Sequence, residues 1–92
     1  MRDDLKSMAY KAVQAGHAVA QFMIDHPDSD WQNSYLIYVT VPDLKMLELW
    51  QEKLETRCLP LSIFREPDIG DEITAIACYP SSSKVLDKLP LL

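Results

Sequence analysis

Apolar and polar positions change rhythm several times along the chain, and each rhythm predicts an element. From Met8 to about Asp25 the sequence is alanine-rich, free of internal proline, and stopped by "HPDSD" with Pro27, which predicts a helix. Tyr10, Gln14, His17 and Gln21 interrupt it at intervals of four, three and four. That spacing places them within about 60° of one another on a helix, while Lys11 lies about 100° from Tyr10 and leaves the stripe. Gly16 sits inside the same helix at a cost of about 1 kcal/mol relative to alanine. A close approach by another backbone or by a ligand would account for it. "SYLIYVTV", Ser34 to Val41, is β-branched and aromatic with little alternation, and predicts a strand covered on both faces.

"PDLKMLELWQEKLET" predicts a second helix, with Asp43 as N-cap and an apolar stripe of Leu44, Leu47, Trp50 (or Leu49) and Leu54. Its charged face of Lys45, Glu48, Glu52 and Lys53 reads as solvated surface. "LPLSIFRE" predicts a short strand from Leu61 to Arg65, and "EPDIGDE" a loop punctuated by Pro67 and Gly70. "EITAIACY" predicts another strand, alternating Ile73, Ala75 and Ala77 against Thr74, Ile76 and Cys78. "SSSKVLDKLPLL" predicts a last helical turn or two. The order is helix, strand, helix, strand, strand, short helix, which argues for an α/β layer with helices packed on a sheet.

With 92 residues the chain holds one domain, 1–92, with a thin core that oligomerisation would supplement. A formal net charge of −5 disfavours a generic grip on a phosphate backbone. Cys58 and Cys78 stand 20 apart without metal-ligand spacing and read as reduced, packed thiols. No apolar run approaches the roughly 20 residues of a membrane span. "MRDDLKSMAY" lacks the apolar centre of a signal peptide, so a cytoplasmic location is expected. Histidine and carboxylate spacings match no zinc or calcium site, and no P-loop or dinucleotide glycine signature is present, so no metal and no cofactor is expected.

Two constellations carry candidate chemistry. The first is the stripe. An ordinary solvent face carries Glu and Lys, as the second helix does, whereas amide, imidazole and phenol groups suit a semi-buried site with specific partners. Tyr10, Gln14, His17 and Gln21 are therefore candidate ligand-binding residues. The second is "FREPDIGDE". Arg65 suits a phosphate or carboxylate, and Glu66 or Asp68 suits the paired donors of a base edge or general-base work. The plain alternatives are an exposed helix face and a solvated turn with Arg65 paired locally.

Together these segments resemble the second, archaeal and eukaryotic, class of peptidyl-tRNA hydrolases. "RDDLK" is similar to the end of that family's first strand, "AVQAGHA" to its Gln-x-x-His helix, "YLIYVTVPDLKMLELWQEKLE" to its second strand and helix, "LPLSIFREPD" to the strand leading to its catalytic acid, and "ITAIACYP" to its last strand. The resemblance spans nearly the whole chain and is closest to short bacteriophage members. It implies a small mixed four-stranded sheet with helices on both faces and the first strand nearly absent. It also implies a homo-oligomer, and a ligand that is a nucleotide or the terminal nucleotide of tRNA. The family's catalytic set includes a lysine four residues before the glutamine, and here that position is Tyr10. Lys11 is displaced by one residue. Glu66 stands near the family's aspartate, with Asp68 the other candidate, and the loop threonine is missing. The expectation is a non-hydrolysing nucleotide-binding protein, a phage sponge for the cyclic nucleotide signals of bacterial immunity in the host cytoplasm. The alternative is an active peptidyl-tRNA hydrolase in which His17 and Glu66 or Asp68 form the acid–base pair and Lys11 or Lys6 replaces the family's lysine. A third possibility is an interaction module with a vestigial pocket.

Overall fold

The computed structural model describes residues 1–28, 36–57, 60–78 and 86–92. Its elements are helix α1 (Met8–Asp25), helix α2 (Leu44–Thr56), strand β1 (Leu61–Glu66), a 3₁₀ turn (Pro67–Ile69) and strand β2 (Glu72–Cys78). Both helices start where side-chain capping predicts. The Ser7 hydroxyl accepts from the Tyr10 N–H at 3.0 Å, and the Asp43 carboxylate accepts from the Met46 N–H at 3.0 Å. Each satisfies a donor that the first helical turn leaves open.

β1 and β2 form a two-stranded antiparallel sheet. Gly70 (φ 72°) and Asp71 (φ 60°) take left-handed backbone conformations, and the Asp71 N–H returns to the Glu66 carbonyl at 3.0 Å to close the connection. The register slips once. Phe64 faces Ala75 and Arg65 faces Ile73, so Thr74 is an extra residue on β2 with no partner across the ladder. The expected alternation of Ile73, Ala75 and Ala77 on one face therefore breaks. Ala75 joins Ala15, Ala18, Phe64 and Ala77 beneath α1, whereas Ile73 joins Leu47, Trp50, Ile63 and Ile76 beneath α2. The bulge lets one strand serve two cores, and the hairpin is sandwiched between the helices. α2 buries Leu47 and Leu54 and half-buries Leu44 and Trp50, while Leu49 is exposed.

The expected strand over 34–41 is corrected among its described residues. Leu36 and Ile37 are exposed, and only Val39 and Val41 make isolated bridges, to Leu91 (antiparallel) and to Arg2 (parallel). Backbone bonds align these segments beside β2. The Arg2 N–H donates to the Thr74 carbonyl at 3.2 Å, Val41 N–H to Met1 at 2.9 Å, and Thr40 N–H to Pro90 at 2.8 Å. The hydrogen-bonded plane continues past β2 without becoming further strands among the described residues. Coverage on both faces, expected from the apolar run, is reached only at Thr40 and Val41. Residues 34 and 35, the serine-capped start of the expected last helix and Cys58 lie outside the described residues. Cys78 is half-buried at the end of β2. No described helix is long and apolar enough to cross a membrane.

Candidate functional site

The four-residue polar stripe of α1 is buried at Gln14, half-buried at Tyr10 and Gln21, and exposed at His17. It lies along the seam between α1 and β1, which run antiparallel, so α1 residues meet β1 residues in reverse order. On β1 the side chains of Ser62, Phe64 and Glu66 share the face toward α1, as strand alternation requires. The seam begins at Tyr10 beside Glu66. Next, the His17 ring tilts on Phe64 with centroids 4.5 Å apart. Then the Asp25 carboxylate accepts the Ser62 hydroxyl at 2.6 Å, and a His26 ring nitrogen lies 3.2 Å from the Leu61 carbonyl oxygen.

Gln14 is the deepest member of the stripe, 1% exposed, and its Oε1 accepts the Thr74 hydroxyl at 2.6 Å. Thr74 is fully enclosed. The bulge that displaces Thr74 from the ladder aims its hydroxyl at Gln14. Gln14 is thus engaged inside the protein and closed to direct contact from solvent. Gln21 donates to Asp25 at 2.8 Å, at the far end of the seam from Tyr10. The hydrogen bonds from Ser62 and Gln21 hold the Asp25 carboxyl below its usual range.

At the other end, Tyr10 is half-buried with the Lys6 ammonium 4.7 Å above its ring. Partial burial, followed by the nearby Glu66 and Asp68 carboxylates, raises the phenol above its ordinary pKa, with Arg2 opposing. Tyr10 is therefore a neutral hydrogen-bond donor at physiological pH. Glu66 is 8% exposed, and among the described residues its carboxylate has no hydrogen-bond or ion-pair partner. A buried carboxylate without donors is costly, and a ligand that supplied them would be held there. Asp68, in the 3₁₀ turn, is exposed.

Beside this cluster Arg2 makes a fork to Asp4, Nε to Oδ1 at 2.9 Å and Nη2 to Oδ2 at 2.9 Å, and donates to Glu72 at 2.7 Å. The fork holds Asp4 below its ordinary pKa and strengthens the proton's hold on Arg2. Lys11 is committed elsewhere, to Asp3 at 2.7 Å, as its departure from the stripe predicts. Arg65 projects away from the α1 seam. It is exposed, and among the described residues its guanidinium reaches the Asp71 carbonyl at 3.4 Å.

The fold thus brings together Tyr10, Glu66 and Asp68, with His17 next along the seam. It separates Lys11, Gln21 and Arg65 from them. Sequence reasoning assigned no role to Thr74, Phe64, Ser62 or Asp25. It read Lys6 only as a substitute for the family lysine and Arg2 only as part of a matching segment. The Thr74–Gln14 and Arg2–Glu72 contacts join residues 60 and 70 apart, and no local pattern announces them. Among the described residues no cluster of three or more His, Cys, Asp or Glu is placed to hold a metal ion. No protein-family model matches the chain, and no curated protein matches it.

Proposed function

We propose that this protein binds a nucleotide without hydrolysing it, on the seam where Tyr10, Lys6, His17 and Glu66 meet. The observation that carries the reading is the unpartnered, nearly enclosed Glu66 carboxylate beside a neutral phenol with an ammonium above it. A nucleotide supplies what each group lacks. Its base or sugar N–H and O–H groups donate to Glu66, its phosphate meets Lys6, and its ring stacks on Tyr10 or His17. Glu66 and Phe64, on which His17 rests, are two residues apart on one strand face, a step of about 6.6–7 Å. That spacing suits groups reading separate parts of a nucleoside better than a pair sharing one proton. Gln14 and Thr74 hold the helix in register with the strand, and Asp68 lies exposed in the turn beside Tyr10 and Glu66.

The sequence resemblance to peptidyl-tRNA hydrolases supports the same reading and extends it. Helices on both faces of the hairpin and the parallel Arg2–Val41 bridge suit a mixed four-stranded sheet whose first strand is rudimentary. Tyr10 in place of the family's lysine removes the positioned charge that ester cleavage needs, worth several kcal/mol at a transition state. A phage-encoded sponge for cyclic nucleotide immune signals, working in the host cytoplasm, is the role this combination suits. The test is a titration with a panel of cyclic di- and trinucleotides, followed by heat denaturation. Tight binding and recovery of unchanged ligand are expected. Failure of every nucleotide to bind removes the proposal.

A second reading, an active peptidyl-tRNA hydrolase, is favoured by one observation. Lys6, not Lys11, places its ammonium over Tyr10. On that reading peptidyl-tRNA is cleaved, turnover depends on His17, and Lys6→Ala abolishes it while Lys11→Ala does not.

A further inference from the structure

Helix α1 is amphipathic in an unusual sense: Gln14 of its polar stripe is buried against the sheet, His17 is exposed at the stripe's border, and the outward face is apolar. Taking Gly16 as the centre, the residues within about 80° of its direction are Met8, Ala9, Ala12, Val13, Val19, Ala20, Met23 and Ile24. None is polar. Met8 is 60% exposed and Ile24 71%, with Val13 and Met23 also exposed. The helix's two charged residues, Lys11 and Asp25, are both engaged off this face. In a chain of net charge −5, a helix face without a single charge is a selective feature. The exposed apolar area is on the order of 500 Å², at the scale that marks an interaction surface on a small monomer.

We propose that this face is a self-association surface, on which α1 of a second copy packs antiparallel across a two-fold axis through Gly16. The occupant is set by the order of side-chain sizes. A two-fold interface requires that residue i meet j and j meet i. About Gly16 the antiparallel pairs are Met8 with Ile24, Ala9 with Met23, Ala12 with Ala20, and Val13 with Val19. The largest residues lie toward the two ends, and alanine and valine flank Gly16 at the crossing. Each Met23 meets an Ala9, so a knob faces a hole. A parallel arrangement would set Met23 against Met23 and leave Ala9 facing Ala9. Among the described residues a Cβ added at Gly16 would meet nothing within 4 Å, so none of them requires a glycine there. Close approach of a second helix, at the short end of the usual 8–10 Å interaxial range, does use it. Two such faces bury about 1,000 Å² together, the lower bound for a specific interface. The absence of charge on this face also lets two copies of an acidic protein meet without repulsion across the seam.

The test uses the full chain. Light scattering on wild-type protein at tens of micromolar is expected to give twice the 10.5 kDa monomer mass, dissociating on dilution. Ala12→Arg, at an exposed position, is expected to give the monomer with an unchanged circular dichroism spectrum. A second measurement reads orientation. The double variant Ala9→Cys/Met23→Cys is expected to form a covalent dimer under mild oxidation, where wild-type protein with its own cysteines does not. A monomeric wild type overturns the proposal. So does a dimer that persists in folded Ala12→Arg. If Ala12→Arg does not fold, the cysteine pair decides: no added cross-linking in a dimeric protein overturns it.

Discussion

Replacing Thr74 by valine removes one hydroxyl and almost no volume, and so isolates the contact that joins the bulge to the helix. In the native protein the Thr74 hydroxyl donates to Gln14 Oε1 at 2.6 Å, with both side chains closed to solvent. Thr74→Val leaves the Gln14 carbonyl oxygen buried without a donor, which costs about 1–3 kcal/mol. For a domain of this size each 1 kcal/mol shifts the melting temperature by about 4–8 °C. Gln14→Met carries a similar cost, because the Thr74 hydroxyl then loses its acceptor. The double variant removes both partners. Since exchanging a whole buried pair for apolar groups of like shape is close to neutral, the two losses do not add. The expected coupling is about 1–2 kcal/mol, read from urea denaturation of the four proteins in a double-mutant cycle. Additive single losses would refute the reasoning, as would a Thr74→Val protein as stable as wild type. Either result means that the bulge is held by packing and not by this bond.

Other outcomes follow from the same physical picture. Gly16→Ala, in a helix interior with open space for the new methyl, is expected to stabilise dilute protein by about 0.5–1 kcal/mol in chemical denaturation; a loss instead means the position is strained within one chain. Arg2→Met strands Asp4 and Glu72 beside a buried apolar group and is expected to cost about 1–3 kcal/mol, discounted because both carboxylates are partly exposed. Asp4 and Asp25 have folded pKa values below their unfolded ones, so their stabilisation is present above about pH 4 and is lost as pH falls through the lowered values. Asp25→Asn is therefore expected to flatten the fall of the urea midpoint below pH 4, and an unchanged slope contradicts the assignment. Glu66→Gln is expected to lower the Tyr10 titration toward the ordinary phenol value, followed by NMR of labelled tyrosine; no movement places Glu66 away from the ring.

The helices and the hairpin were legible because their signals are local. Ser7 and Asp43 cap helices whose apolar spacing is regular, and Pro67 with Gly70 marks the turn between two β-rich runs. The bulge was not legible, because Ile73, Thr74 and Ala75 read as plain alternation until both helices claim their sides of β2. The run before Val41 was read as a covered strand because of its composition. Its pairing depends on Arg2 and Leu91, which are distant in the chain, and its first described residues stay exposed. The stripe on α1 was legible as a semi-buried stripe, but the depth of Gln14 and the exposure of His17 were not. Periodicity groups residues on a helix without saying which group faces the sheet. That direction came from the hairpin's own polar groups, Ser62, Glu66 and Thr74, meeting the stripe. Gly16 was singled out for a close approach, but among the described residues nothing comes within 4 Å of a Cβ placed there.

The central claim is that the seam at Tyr10 and Glu66 holds a nucleotide. The most direct measurement is an NMR titration of isotopically labelled wild-type and Glu66→Gln protein with the cyclic nucleotide that binds best in the panel. The account predicts shifts confined to Lys6, Tyr10, His17, Phe64 and the 66–68 turn, saturating at one ligand per site and weakened at least about tenfold by Glu66→Gln, the loss of roughly 1.4 kcal/mol. Shifts clustered on another surface, or equal affinity in the Glu66→Gln protein, would contradict it.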